Sequence, residues 1–322
     1  MKLIIQIPCF NEEKTLPDTV RDIPRKIEGI DSVEILIIDD GSTDRTVAVA
    51  RELGVDHVVQ NTGNKGLAAS FMNGLQACLA LGADIIVNTD GDNQYNGADI
   101  AKLVRPVLNR KADIVIGDRQ TDAIDHFSFT KKKLQKMGSM MVRLLSGTKV
   151  PDTVSGFRAF SREAAMQINV ISAYSYTVET IIQAGNKKLS ITSVPVGTNE
   201  KTRESRLVKS IPRFIMMQLS TMIRMYAMFK PLKAFFVIGS ICILIGLIPS
   251  GRFLFFYLAG EGGGHIQSLI MAAIFFIIGF QVLVLGLLGD VISQNRKLIE
   301  ETLLRVRRME FDGGKDDDDY TS

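Results

Sequence analysis

The sequence predicts an α/β domain with a mostly parallel sheet, tethered by a two-helix transmembrane hairpin. Three observations lead there. Over the first 120 residues, short and fully apolar runs alternate with longer amphipathic ones, the pattern of strands buried on both faces beneath helices. Polar clusters recur where those apolar runs end. Near the C-terminus, two apolar stretches each exceed the ~20 residues that a membrane-spanning helix needs.

Taken in order, KLIIQI (2–7) reads as the first strand and 13–28 as a helix. VEILIID (33–39) is a second strand, with a helix after Asp44, and HVVQ (57–60) is a short third. Residues 65–81 form a helix with Leu67, Phe71, Leu75 and Leu79 on one face. DIIVNT (84–89) and DIVIGD (113–118) are two more strands around a helix near 98–109. From 120 to 233 the pattern loosens. A basic helix is expected around KKKLQKMGSMMVRLL, a strand near LSITSVPV, and an amphipathic helix or helix pair over 205–229. A basic, apolar-faced helix just before a span suits a membrane surface; an ordinary core-facing helix is the alternative.

The apolar stretches are 234–260 and 266–289. Pro249 and Arg252 predict a kink and an early end in the first, with Arg252 reaching toward headgroups. Lys230 and Lys233 precede the pair, and Arg296, Lys297 and Arg305 follow it. These basic flanks put both ends inside and the 261–265 loop outside. The expected organisation is a catalytic domain over 1–204, interface helices over 205–233, two spans over 234–290, and a cytosolic helix with an acidic, disordered tail over 291–322. Met1-Lys2 leads straight into a strand broken by Pro8, which is no signal peptide. The catalytic domain is therefore expected in the cytosol, at the cytoplasmic (inner) membrane.

The formal net charge of +3 over 322 residues does not suggest a nucleic-acid binder. Cys9, Cys78 and Cys242 match no disulfide framework or zinc site. Neither a Walker A pattern nor GxGxxG occurs, which argues against P-loop and dinucleotide enzymes.

In a doubly covered parallel sheet, ligands collect at the carboxyl ends of the strands. Four polar clusters fall there: PCFNEE, DDGSTD, DGDNQ and GDR. Each alone could be helix capping; four at successive strand ends favour a site. Asp90 and Asp92 flank one glycine, and their mutual repulsion raises the cost of ionising both. Mg2+ or Mn2+, which takes hard oxygen ligands together with substrate phosphates, offsets it.

IPCFNEEKTL, IIDDGSTDRT, NTGNKGLAAS and NTDGDNQ, in that order and spacing, resemble glycosyltransferase family 2 with its GT-A fold. The later VSGFRAF and TRESRL resemble its polyprenyl-phosphate glycosyltransferases, the group that includes dolichol-phosphate mannose synthase. The motifs span roughly 1–210, and the helical hairpin matches bacterial members in architecture only. The resemblance implies that Pro8, Asn11, Glu12, Asp39, Asp40, Lys65 and Asp90 bind the nucleotide. It implies that Asp90, Asp92 and Gln94 hold the metal and the donor diphosphate, and that Asp92 and Arg119 are catalytic. Arg119 would reach the acceptor phosphate or the transferred sugar.

Lys132 falls where the mannose synthases carry arginine, and Lys136 where they carry serine, which keeps positive charge but loses bidentate geometry. Arg203, Ser205 and Arg206 match a phosphate-closing loop in which Arg203 replaces the usual glycine. The implied partners are a UDP- or GDP-linked sugar, a polyprenyl phosphate, the membrane and a second copy of the chain in a homo-oligomer. The implied reaction is metal-dependent transfer with inversion. A processive polysaccharide synthase is disfavoured, because its QxxRW motif needs a tryptophan and the chain has none. A lipid-hydroxyl acceptor and a catalytically dead scaffold remain as alternatives.

Overall fold

The structure is a computed structural model that describes residues 1–120, 140, 142–143, 145–172, 176–199, 216, 220, 223–260 and 262–312. β1 (Lys2–Cys9) lies inside a sheet with β2 (Ser32–Asp39), β3 (His57–Gln60), β4 (Ile85–Asn88), β5 (Ile114–Asp118), β6 (Arg158–Ser161) and β7 (Ile191–Pro195). Their order is β3-β2-β1-β4-β6-β5-β7. All neighbours pair in parallel except β6, which runs antiparallel to both β4 and β5.

The apolar strands are buried on both faces, as their composition requires. Leu3, Ile5 and Ile7 of β1 point into a core shared with α1 (Leu16–Asp22), α2 (Thr46–Glu52) and α4 (Ile100–Leu108). The alternate residues face α3 (Leu67–Ala80): Gln6 donates to the Phe71 carbonyl, and the Gly74 backbone lies against Gln6 and Ile38. Among the described residues, α5 (Arg162–Gln167) and α6 (Tyr176–Asn186) also flank the sheet.

Two expectations need correction. The helix predicted over 13–28 is only α1, Leu16–Asp22. Pro24 disfavours helical backbone at the residue before it, and Ile23 is extended with ψ 122°. The span expected to end early is instead the continuous helix α7 (Pro231–Leu258), which runs past Pro249 and Arg252.

The chain forms two compact units, Ile223–Leu303 and the remainder, Met1–Met222 with Leu304–Ser322. The first of these contains α7 and most of α8 (Ile266–Asp312). Both helices are long and apolar enough to cross a membrane, and only 17% of the most apolar window of each is buried. They touch backbone to backbone: a Cβ on Gly279 would stand 3.0 Å from the Gly239 carbonyl oxygen. Small residues permit such close helix packing.

The last turns of α8, from Leu304 on, belong with the α/β unit. Arg307 is buried and donates to the carbonyls of Met166 (2.7 Å) and Ile168 (3.0 Å) at the end of α5. Those are the carbonyls that a helix end leaves unpaired. Arg162 reciprocates, bonding the Phe311 carbonyl at 2.8 Å and the Ala83 carbonyl after α3 at 3.0 Å. Arg308 pairs with Glu163 at 2.7 Å, but both side chains are largely exposed.

Arg307→Ala is expected to destabilise the α/β unit by about 2 kcal/mol, because charged hydrogen bonds to buried carbonyls are lost. Arg308→Ala should cost under about 1 kcal/mol. Thermal melts of the full chain in detergent, followed by near-ultraviolet circular dichroism, check the ranking.

Candidate active site

The order of the strands fixes where a crevice opens. From β1 the chain steps to β2 and β3 on one side, then returns to β4 on the other side of β1. The ends of β1 and β4 therefore flank a topological switch point. At that point the Cys9–Glu12 and Thr89–Asp92 segments meet. A Cβ on Gly91 would stand 3.0 Å from the Cys9 sulfur, and the Thr15 hydroxyl lies 2.8 Å from both the Gly91 carbonyl oxygen and a Glu12 carboxylate oxygen.

The β2 side of the crevice is tied to β1 through Asn11. Its φ of 57° is left-handed, a conformation that asparagine tolerates best among residues with a side chain. Its backbone N–H donates to the Ser42 hydroxyl (2.9 Å), and its side-chain oxygen accepts from the Thr43 N–H (2.8 Å). Glu12 is fixed similarly, its N–H donating to Thr46 Oγ1 at 2.8 Å.

Of the two strand-end aspartates, Asp39 is buried and accepts from the Ser42 N–H at 3.1 Å. Asp40 is also buried, and accepts from Asn61 Nδ2 (2.9 Å), the Lys65 N–H (2.9 Å) and the Gly66 N–H (2.8 Å). Asp40, expected to meet the nucleotide, has its carboxylate engaged by these three donors and shapes the loop that carries the exposed Lys65. Pro8 is likewise enclosed within β1, opposite Ile38.

Asp90 and Asp92 are half-buried at the end of β4. Asp92 accepts from the Gln94 N–H at 3.2 Å. The same loop is held from outside by Asn199, whose N–H donates to the Gln94 carbonyl (2.9 Å) and whose side chain donates to the Asn93 carbonyl (3.0 Å). Oxygen donors of this kind fit Mg2+ or Mn2+. Among the described residues no group of three His, Cys, Asp or Glu converges as a ligand set. A Mg2+ site commonly uses one or two carboxylates and takes its other ligands from phosphate and water. The one soft donor nearby does not compete: burial, then Glu12, Asp39 and Asp90, push the Cys9 thiol well up, so it stays protonated.

Arg119 was expected to reach acceptor phosphate or sugar. It grips Asp152 with two prongs, Nε–Oδ2 at 2.7 Å and Nη2–Oδ1 at 3.1 Å. Burial alone would raise the Asp152 carboxyl, but the Arg119 guanidinium overrides it and holds the group below the usual carboxylate range. Arg158 is wholly buried and donates to the carbonyls of Ser155 (2.8 Å), Thr177 (2.8 Å) and Thr153 (3.1 Å). Burial pulls its pKa down to about 10, so it remains a cation at neutral pH.

Lys132, Lys136, Arg203, Ser205 and Arg206 lie outside the described residues. The crevice also contains residues that the sequence reading did not single out: Asn88, Tyr95, Asp152, Gly156 and Tyr176. The quoted VSGFRAF held the signal for one of them, Gly156.

Sheet order and crevice together define a GT-A-type transferase domain. The fold is shared with glucosyl-3-phosphoglycerate synthase from Mycobacterium tuberculosis, solved with Mn2+, UDP and glucosyl-3-phosphoglycerate. The match has TM-score 0.54 and 21% identity, and covers 69% of this chain and 79% of that one. The sequence profile described as glycosyl transferase family 2 matches residues 4–168, and the chain belongs to that family.

The chain is 32% identical to the UDP-N-acetylglucosamine–dolichyl-phosphate N-acetylglucosaminyltransferase of Methanococcus voltae, over 60% of this chain and 83% of that protein. It is 28% identical to the polyprenol monophosphomannose synthase of Mycolicibacterium smegmatis, over 62% and 78%. Similarity extends over 91% of this chain, at 27% identity, to the undecaprenyl-phosphate 4-deoxy-4-formamido-L-arabinose transferase of Sodalis glossinidius, 89% of which is covered.

The depressed Asp152 carboxyl stabilises the fold above its unfolded-chain pKa, and that contribution disappears as pH falls through the folded value. Asp152→Asn leaves Arg119 buried without its partner charge, and should cost about 3 kcal/mol at neutral pH. The variant should also lose stability less steeply than wild type below about pH 4. Melting temperatures measured against pH for both proteins test the sign.

Proposed function

We propose that the chain transfers a sugar from a nucleoside-diphosphate sugar to a polyprenyl phosphate at the membrane in which α7 and α8 are anchored. One observation carries the reading: the chain joins a carboxylate-lined GT-A crevice at the β1/β4 switch point to two helices apolar enough to span a bilayer. Support comes from relatives whose names specify dolichyl, polyprenol or undecaprenyl phosphate. The basic residues flanking the helices support a cytosolic catalytic domain at the cytoplasmic membrane, crossed twice. The product serves cell-surface glycan or glycoconjugate synthesis, and the enzyme works as a homo-oligomer.

Asp39 and the Asn11–Glu12 segment form the wall for the base and ribose of a UDP- or GDP-linked sugar, with UDP preferred. Asp90 and Asp92, with Gln94 beside them, hold the divalent cation. When bound, that cation supplies Lewis-acid neutralisation of the diphosphate leaving group. Lys65 and the basic residues Lys132, Lys136, Arg203 and Arg206 offer charge to the donor and acceptor phosphates, with Ser205 as a hydroxyl donor.

Arg119 acts at one remove from the acceptor. Its charge bears on Asp90 while Asp152 fixes its orientation. A phosphate monoester, with a second pKa near ~6, is largely ionised at neutral pH and needs no strong general base. The phosphate oxygen forms its bond to the anomeric carbon as the bond to the donor diphosphate breaks on the opposite face. This inverts the centre and gives a β-linked polyprenyl-phosphate sugar. The protein's contribution is to position and neutralise two anions.

Screening nucleotide sugars against a short polyprenyl phosphate and against diacylglycerol, with and without Mn2+, tests the proposal. Transfer to the phosphate that depends on the metal is expected; transfer to diacylglycerol alone would overturn the acceptor. Asp92→Asn should lower transfer by about a thousandfold while the protein still inserts into membranes. Full activity of that purified variant would remove the metal role from Asp92.

A further inference from the structure

Gly156 stands directly beneath Asp90. A Cβ placed on it would lie 3.0 and 3.1 Å from the two Asp90 carboxylate oxygens and 2.9 Å from the Tyr176 hydroxyl. Its φ is not left-handed, so space rather than backbone conformation demands glycine here.

The peptide cannot retreat to make room. The Gly156 N–H donates to the Tyr95 hydroxyl at 3.1 Å. Its carbonyl accepts from Asn88 Nδ2 at 2.9 Å and from the Tyr176 hydroxyl at 3.2 Å. Each anchor is itself fixed. Asn88 is fully buried at the end of β4; its Nδ2 donates to the Tyr176 hydroxyl at 2.8 Å, and its oxygen accepts from Gln6 at 2.9 Å. Tyr176 stacks on Phe71 with ring centroids 3.9 Å apart and planes 4° from parallel. Tyr95 stacks on Phe157 at 4.9 Å. A side chain at 156 thus meets a rigid frame on three sides. On the fourth is the half-buried Asp90 carboxylate.

We propose that Gly156 is a positioning residue: its bare Cα sets the seat of the Asp90 carboxylate, and with it the spacing of the Asp90 and Asp92 oxygens presented to the cation and the donor diphosphate. The inference rests on the metal-binding reading of Asp90 and Asp92 given above. A methyl group at 156 crowds the Tyr176 hydroxyl, which must shift, and both Asp90 oxygens, which must give by a few tenths of an ångström. That exceeds the ~0.2 Å tolerance of a metal–oxygen bond. A shift negligible for folding is therefore large for coordination.

The test uses the purified full-length chain and reads Mn2+ binding by electron paramagnetic resonance, with UDP as the diphosphate probe. Wild type is expected to bind Mn2+ in the presence of UDP. Gly156→Ala should weaken that binding about tenfold or more, the usual effect of disturbing the support of a ligand, and should melt within a few degrees of wild type. The double variant Gly156→Ala, Tyr176→Phe removes the hydroxyl that also crowds the new methyl, and should keep the loss. It decides the matter if the single variant does not fold.

Wild-type Mn2+ affinity in the variants would overturn the role of Gly156. So would recovery in the double variant, which would show that the glycine serves Tyr176 instead. No Mn2+ binding by wild type with UDP would overturn the metal reading itself, and this inference with it. The two failures are therefore told apart by the wild-type trace.

Discussion

The constraint on which the site depends is the concentration of negative charge at the ends of β1, β2 and β4. Glu12, Asp39, Asp90 and Asp44 all act on the single thiol of Cys9, each raising it. A crevice so acidic repels a diphosphate unless something positive lies between them. Two described cations nearby, Arg119 and Arg158, are buried and occupied, one with Asp152 and the other with backbone carbonyls. In the proposed reading, a divalent ion arriving with the donor supplies part of the balance. Two carboxylates flanking one glycine would repel each other less with such an ion between them.

β6 makes this arrangement geometrically possible. As the one antiparallel strand between β4 and β5, it brings its first residue, Arg158, level with Asn88. The turn before it, Asp152 to Phe157, then lies along the end of β4. An all-parallel sheet would enter at the opposite edge and leave that side open. Arg158 locks the turn by bonding carbonyls of Thr153 and Ser155 on one side and Thr177 on the other. Burying a guanidinium costs several kcal/mol unless its hydrogen bonds are met, and here the carbonyls meet them. The buried cation thus orders the turn, and the turn supports the carboxylate.

The sequence made the sheet and the polar strand ends legible for a plain reason. Largely apolar runs such as LIIQI and ILII have few other uses, and carboxylates just beyond them are conspicuous. β6 was not legible, because RAFS is four residues long and half polar, and only pairing with Ile85–Asn88 makes it a strand. Asn88 sits in a run that reads as ordinary strand, and nothing local shows that its amide reaches Gly156 and Tyr176. The short α1 shows the opposite case: Pro24 was visible, and its effect on Ile23 could have ended the predicted helix in the right place.

The neighbours Asp39 and Asp40 show why a motif does not by itself assign roles. Sequence treats them alike, at successive positions of DDGS. Alternation in an extended strand sends successive side chains to opposite sides. Asp40 consequently meets Asn61, Lys65 and Gly66, and Asp39 meets Ser42. One carboxylate builds the loop and the other remains beside the crevice. The same division recurs further along: Asp152 orients Arg119, whose charge then acts on Asp90 without leaving its partner. A charge held in place before substrate arrives needs no reorganisation when the leaving group departs. Much of the ionic structure around this crevice therefore serves to keep a few groups still, and Asp90 and Asp92 are the ones it keeps still.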